Sequence, residues 1–114
     1  MTSLDENAFE RIAGETLDGL FDALEGALDD ALGERADVDM QQGILTIDVQ
    51  GSGHWVINKN AVARQIWLSS PVSGGAHFDW DGAGEWVGSR GEGTLRSRLE
   101  QELSALAGVS LDLS

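Results

Sequence analysis

A chain of 114 residues has room for one domain with a real core and none for a multidomain enzyme. Seven Lys and Arg stand against 20 Asp and Glu, a formal charge of −13 that repels phosphate backbones and anionic lipid headgroups, so neither nucleic acid nor a membrane is expected as a partner. Apolar residues reach 41% with four tryptophans and no cysteine, so the chain is expected to fold without disulfides, thiolate chemistry or Cys-held metal; any metal must be held by oxygen, or by His54 and His77. The opening segment, Met1 to Glu10, is acidic and lacks a hydrophobic stretch. It therefore reads as neither a secretory signal nor a transit peptide, and a cytoplasmic location is expected unless a presequence has been removed.

Ser3 with Glu6 forms a capping-box pattern ahead of Phe9, Ile12, Leu17, Leu20, Leu24, Leu28 and Leu32, one stripe of an α-helix over about 4–32. Gly14, Gly19 and Gly26 each weaken it by roughly 1 kcal/mol relative to Ala, so packing of the stripe must supply its stability. From about 37 to 88 the period changes to two, with glycine-bearing breaks at Gly43, Gly51 to Gly53, Gly74 to Gly75 and Gly82 to Gly84, which predicts short antiparallel strands. A second helix over about 94–107 follows, capped by Thr94 and carrying Leu95, Leu99, Leu103 and Leu106 on one face. Residues 108–114 are expected as an extended tail whose Val109, Leu111 and Leu113 cover a seam. The order predicts a single α+β domain, a two-layer sandwich with both helices on one face of an antiparallel sheet of about five or six strands. The other face meets water.

Alternation sorts the strand side chains. Ile66 with Leu68, Ala76 with Phe78 and Trp80, and Trp55 with Ile57 go inward. Thr46, Asp48, His54, Val56, Asn58, Gln65, Trp67, Ser69, His77 and Asp79 are left outward. A tryptophan in water among Asn58, Gln65, Ser69 and His77 has the composition of a protein-binding surface, an aromatic anchor ringed by hydrogen-bonding groups.

Twelve of the acidic residues lie within Met1 to Asp39, opposed only by Arg11 and Arg35. Asp18, Asp22, Glu25 and Asp29 recur at steps of four, three and four and stack along one helical face, and Asp30, Asp37 and Asp39 carry the set past the helix end into the first strand. Such a segment is either a solvated face that maintains solubility or a surface for hard cations or a basic partner. Without a coordination cage it should hold several ions weakly. No EF-hand loop, His-rich tract, phosphate-binding glycine motif or H-E-x-x-H is present, and neither histidine has a signposted nucleophile.

The stretches Gly43 to Val49, Val56 to Lys59, Gln65 to Pro71, Ser73-Gly74, Phe78-Asp79-Trp80 and Trp86-Val87, followed by the leucine-rich helix, resemble the frataxin family, whose bacterial members are called CyaY. The likeness runs from about Leu4 to Leu106, and QIWLSSP downstream of INK is its specific signature. The resemblance implies the same helix-and-sheet sandwich and an iron-binding accessory protein of iron–sulfur cluster assembly, an iron chaperone that docks on the cysteine desulfurase and its scaffold protein. It implies iron, Fe²⁺ or Fe³⁺, bound weakly at surface carboxylates, with other divalent cations able to compete. The ridge positions it carries over are Asp18, Asp22, Glu25, Asp29, Asp30, Asp37 and Asp39. The partner positions are Asn58, Gln65 and Trp67, with His77 standing where mitochondrial members carry a contact arginine. It further implies a monomer able to form iron-induced oligomers, in the bacterial cytoplasm or, for a mitochondrial member, the matrix. Two other readings stay open: weak ferroxidase or iron-storage activity, and an acidic protein-binding module with no metal role. Asn60-Ala61-Val62 after Lys59 departs from the mitochondrial pattern, and Gly26, Ala31 and Gly33 stand where some bacterial ridges carry acids.

Overall fold

The leucine stripe folds as helix α1 (Glu6–Leu32), with Phe9, Ala13, Leu17, Leu20, Leu24, Leu28 and Leu32 buried along one side. This computed structural model describes residues 4–113, so the expected cap at Ser3 lies outside the described residues. Asp5 caps the helix, its side chain accepting the Ala8 N–H at 2.7 Å; an aspartate one step before the first helical residue satisfies a free donor as well as serine would. The helix ends at Gly33, whose φ of 57° and bond to the Asp29 carbonyl close the last turn, and a short 3-10 turn (Gly33–Arg35) leads into the sheet.

Six strands follow: β1 (Ala36–Gln41), β2 (Ile44–Val49), β3 (Gly53–Asn60), β4 (Gln65–Ser70), β5 (Gly74–Trp80) and β6 (Trp86–Gly88). Each pairs antiparallel with the next, so spatial order equals chain order and β1 and β6 are the two edges. Helix α2 (Leu95–Ala107) closes the layer, its Thr94 cap completed by Ser97 in a reciprocal box. Both helices pack on one sheet face. Leu45, Ile47, Trp55, Ile57, Ile66, Leu68, Ala76 and Phe78 meet the α1 stripe and Leu95, Leu99 and Leu103 of α2 in a single buried cluster.

Some expectations are revised in detail. Gly74 and Gly75 lie inside β5, and the preceding turn is Pro71 to Ser73. The β3–β4 turn has no glycine: the Asn60 side chain accepts the Ala63 N–H at 2.8 Å and Arg64 takes a φ of 54°, an Asx-type closure. Trp80 packs on the edge of the core, half-buried, at 5.3 Å from the buried Trp86. In the tail, Leu113 is buried and its N–H is held by Glu100, but Val109 is left 52% exposed, because Gly108 in the left-handed region turns the chain before Leu111 reaches α2.

One polar cluster ties the layers together. The Glu102 carboxylate of α2, 8% exposed, accepts the Trp55 indole N–H of β3 at 2.9 Å, the Ser70 hydroxyl of β4 at 2.6 Å and the Ser73 hydroxyl of the next turn at 2.6 Å. Burial alone would raise its pKa, but these three donors, with Arg98 nearby, hold it below the ordinary glutamate value.

Candidate functional site

The predicted site residues fall on two surfaces. The first is the α1–β1 edge, where a shallow groove of about 500 Å³ is lined by Asp22, Glu25 and Asp29 of α1 and Asp37 of β1. Gly26 lies among them, and the space where its side chain would be is open. All four acids are exposed, and among the described residues no lysine, arginine or histidine forms an ion pair with any of them. Uncompensated carboxylates concentrate a negative field and attract cations or a basic surface.

The other acids of the predicted ridge are arranged differently. Asp18 is exposed one turn before Asp22. Asp39 is exposed on β1 opposite Thr46. Asp30 lines a separate depression between α1 and the tail, with Ala27 and Val109, because one residue along a helix turns the side chain by about 100°. The seven therefore do not converge. Among the described residues no three His, Asp or Glu side chains are placed to enclose a metal ion, so this donor set suits loosely held, exchangeable hard cations.

The second surface is the open face of the sheet. Register places Ile44, Asn58, Trp67 and His77 in one row across β2 to β5. The Trp67 indole, expected in water, is half-buried: His77 stacks on it with ring centroids 4.3 Å apart and planes 13° from parallel. Gln65 joins the row from the next pleat. Its side-chain carbonyl accepts the Trp67 indole N–H at 2.9 Å and its amide donates to Asp79 at 3.0 Å. Gln65, Trp67 and His77 are thus tied to one another, with Asn58 opposite Trp67 in the register, so the four predicted partner residues share one patch. Asp79 belongs to it too; alternation put it outward, but its bond to Gln65 depends on the cross-strand register. A further row, Asp37, Asp48 and His54, crosses the β1 end of the same face, with His54 Nδ1 at 3.2 Å from Asp48.

Fold and surfaces together define a small α+β sandwich with an anionic helix edge and an aromatic, amide-rich sheet face. The Frataxin-like domain model matches residues 2–109, and the chain belongs to the frataxin family, a family known for iron binding and iron–sulfur cluster assembly. It is similar to mitochondrial frataxin from Arabidopsis thaliana, at 38% identity over 112 residues, covering 97% of this chain and 60% of that one. The frataxin homologue of Schizosaccharomyces pombe, also mitochondrial, is 38% identical over 103 residues, covering 90% of this chain and 65% of the relative. The chain thus spans about three fifths of the length of these relatives. Among solved structures, trimeric frataxin from Saccharomyces cerevisiae complexed with ferrous iron superposes with a TM-score of 0.77 at 34% identity, covering 95% of this chain and 90% of that one. Frataxin from Psychromonas ingrahamii, at 19% identity and a TM-score of 0.81 over 97% and 99% of the two chains, shares the fold. The mitochondrial relatives give no support to the expected bacterial subtype or its cytoplasmic location.

Proposed function

We propose that this protein is an accessory of iron–sulfur cluster assembly that carries Fe²⁺ loosely as cargo on the α1–β1 edge and docks on the cysteine desulfurase and its scaffold protein. The observation that carries this reading is the groove where Asp22, Glu25, Asp29 and Asp37 meet without a cationic partner among the described residues. Oxygen donors in an open, shallow site suit hard cations that must be handed on rather than stored. The same edge supplies the charge to meet a basic patch on the desulfurase, and the Asn58, Gln65, Trp67 and His77 patch supplies the aromatic anchor and amide groups for the scaffold side. The yeast frataxin complexed with ferrous iron supports iron as the cargo. The compartment is the one that houses cluster assembly, mitochondrial in the curated relatives and cytoplasmic for a bacterial member.

Cluster assembly with the cognate desulfurase, scaffold and Fe²⁺ tests the proposal. The rate should change when the protein is added, and the change should shrink with Asp29→Lys plus Asp37→Lys and with rising salt. Nuclear magnetic resonance signals of Asp22, Glu25, Asp29 and Asp37 should broaden first on Fe²⁺ addition. An assembly rate indifferent to the protein, or broadening that spares this groove, would refute it.

A further inference from the structure

Most cations of this acidic chain are committed. Arg11 lies 4.0 Å from Glu15, Lys59 2.8 Å from Glu10, Arg96 3.1 Å from Glu85 and Arg98 3.9 Å from Glu102. Among the described residues Arg35, Arg64 and Arg90 form no ion pair. Of these three, Arg35 sits at the α1–β1 junction and Arg64 at the β3–β4 turn. Arg90 lines a small notch with His77, Ser89 and Glu92, directly beside the Trp67 stack.

The loop that carries Arg90 is built to hold it there. The Ser89 N–H donates to the His77 carbonyl at 2.9 Å, extending the β5–β6 ladder one residue past β6. The Gly91 N–H returns to the Gly88 carbonyl at 2.9 Å and the Gly88 N–H to the Gly93 carbonyl at 2.7 Å. Glu92, the acid nearest in the loop, gives its carboxylate to the Arg90 backbone N–H at 2.8 Å, which holds its pKa below the usual range. Its side chain fills the space that a Cβ on Gly88 would take. The loop's own acid thus bonds to backbone and meets Arg90 only through its charge, and the Arg90 guanidinium, with five donors in a fixed fork, makes no hydrogen bond to the described residues.

Across the width of the open sheet face, the β1 end carries Asp37, Asp39 and Asp48, and the β5–β6 end carries Arg90 beside Asp79 and Glu92. Asp37 and Asp39 stand at the β1 edge and Arg90 just past the end of β6, alongside β5, roughly 24 Å across the sheet by five strand spacings. Trp67 and His77 lie between. We infer that the His77, Ser89 and Arg90 corner receives a carboxylate side chain of the protein partner that covers the Trp67 patch. That partner then presents acid at the β5–β6 end of the sheet and base at the β1 end. The inference rests on the docking role proposed above and adds the chemistry and orientation of the partner surface. A carboxylate seated on Arg90 and a basic group at the β1 edge fix one docking direction, since the reversed pose sets the partner's acid against Asp37 and Asp39.

The test is binding of the full chain to the cognate desulfurase–scaffold complex, with thermal unfolding run on each variant. Arg90→Glu should weaken binding by roughly tenfold or more, and Arg64→Glu, which changes net charge equally, by no more than about twofold. Arg90→Gln should fall between. Equal losses for Arg90→Glu and Arg64→Glu would mean that only total charge matters and would overturn the inference. A zero-length carbodiimide coupling of the Arg90→Lys variant should join its new amine to an Asp or Glu of the partner. Coupling confined to Glu92 or to a second copy of this chain would overturn it. Failure of the wild type to bind the complex would take the parent reading down with it. Wild-type binding that responds to Asp29→Lys but not to Arg90→Glu overturns this inference alone.

Discussion

Trp67 and His77 occupy paired positions on β4 and β5, and their rings stack 4.3 Å apart at 13°. The stack leaves the indole half covered without placing it in the core, where Ile66 and Leu68 on either side of it are buried. Its removal should therefore injure binding more than folding. Trp67→Ala is expected to reduce affinity for the assembly partners by about 2 kcal/mol, the scale of an aromatic anchor, and to lower stability by about 1 kcal/mol or less, the scale of a lost surface aromatic pair. Titration calorimetry and urea unfolding on the same sample check both. A stability loss larger than the affinity loss would mean that Trp67 is a structural residue.

Glu102 gives a pH signature. Its folded-state pKa is held below the ordinary value, mainly by hydroxyl and indole donors that outweigh burial. The stabilisation is therefore complete above the unfolded glutamate pKa of about 4.3 and is lost as pH falls through the lower folded-state value. Glu102→Gln keeps the shape but removes the charge from bonds to Trp55, Ser70 and Ser73. It is expected to cost roughly 1.5–3 kcal/mol near neutrality and to converge toward the wild type at acid pH. Denaturant unfolding between neutral pH and pH 3 measures this. A constant gap at every pH would mean that the carboxylate charge contributes nothing.

Glycines separate positions that need flexibility from those that do not. Gly14 and Gly19 are helical, and a Cβ at either meets nothing within 4 Å. Gly14→Ala and Gly19→Ala should each stabilise the protein by roughly 0.5–1 kcal/mol. Gly53 has a φ of 113°, and a Cβ there would stand 2.9 Å from the Pro71 ring. Gly53→Ala should destabilise by more than 1 kcal/mol, roughly the scale of backbone strain added to overpacking. Chemical denaturation of the three variants checks the opposite signs.

The elements legible from sequence are those whose side chains repeat with the geometry of a single element. The leucines of α1 recur at helical spacing, and Trp55 with Ile57 or Ile66 with Leu68 alternate as half-buried strands do. What alternation cannot reveal is the neighbour across the ladder. It placed Trp67 outward, but its cover by His77 depends on the β4–β5 register, which is set across the turn at Pro71 to Ser73. Glu102 looks in sequence like any solvated acid on the polar side of α2, and only packing against the β4–β5 turn reveals its three donors. Asp29 and Asp30 are adjacent in the chain yet border different depressions, so charge density along a sequence overstates what one surface collects.

The anionic edge should also be a thermodynamic liability. Asp22, Glu25 and Asp29 stand three and four residues apart on exposed helix, and the last turn of α1 carries no basic residue to meet the negative end of the helix dipole. Like-charge spacing and the dipole each act against these carboxylates by a few tenths of a kcal/mol. Asp22→Asn with Asp29→Asn is therefore expected to raise stability by roughly 0.5–1.5 kcal/mol at low salt. Added NaCl should raise the melting temperature of the wild type more than that of the double variant, because screening removes a repulsion the variant no longer has. A divalent cation should stabilise the wild type preferentially by the same logic, with mass action added. Thermal unfolding across a salt series measures all three effects. Were the double variant less stable than the wild type, these carboxylates would be making favourable contacts within the fold, and the edge would no longer be free to meet a cation or a basic partner.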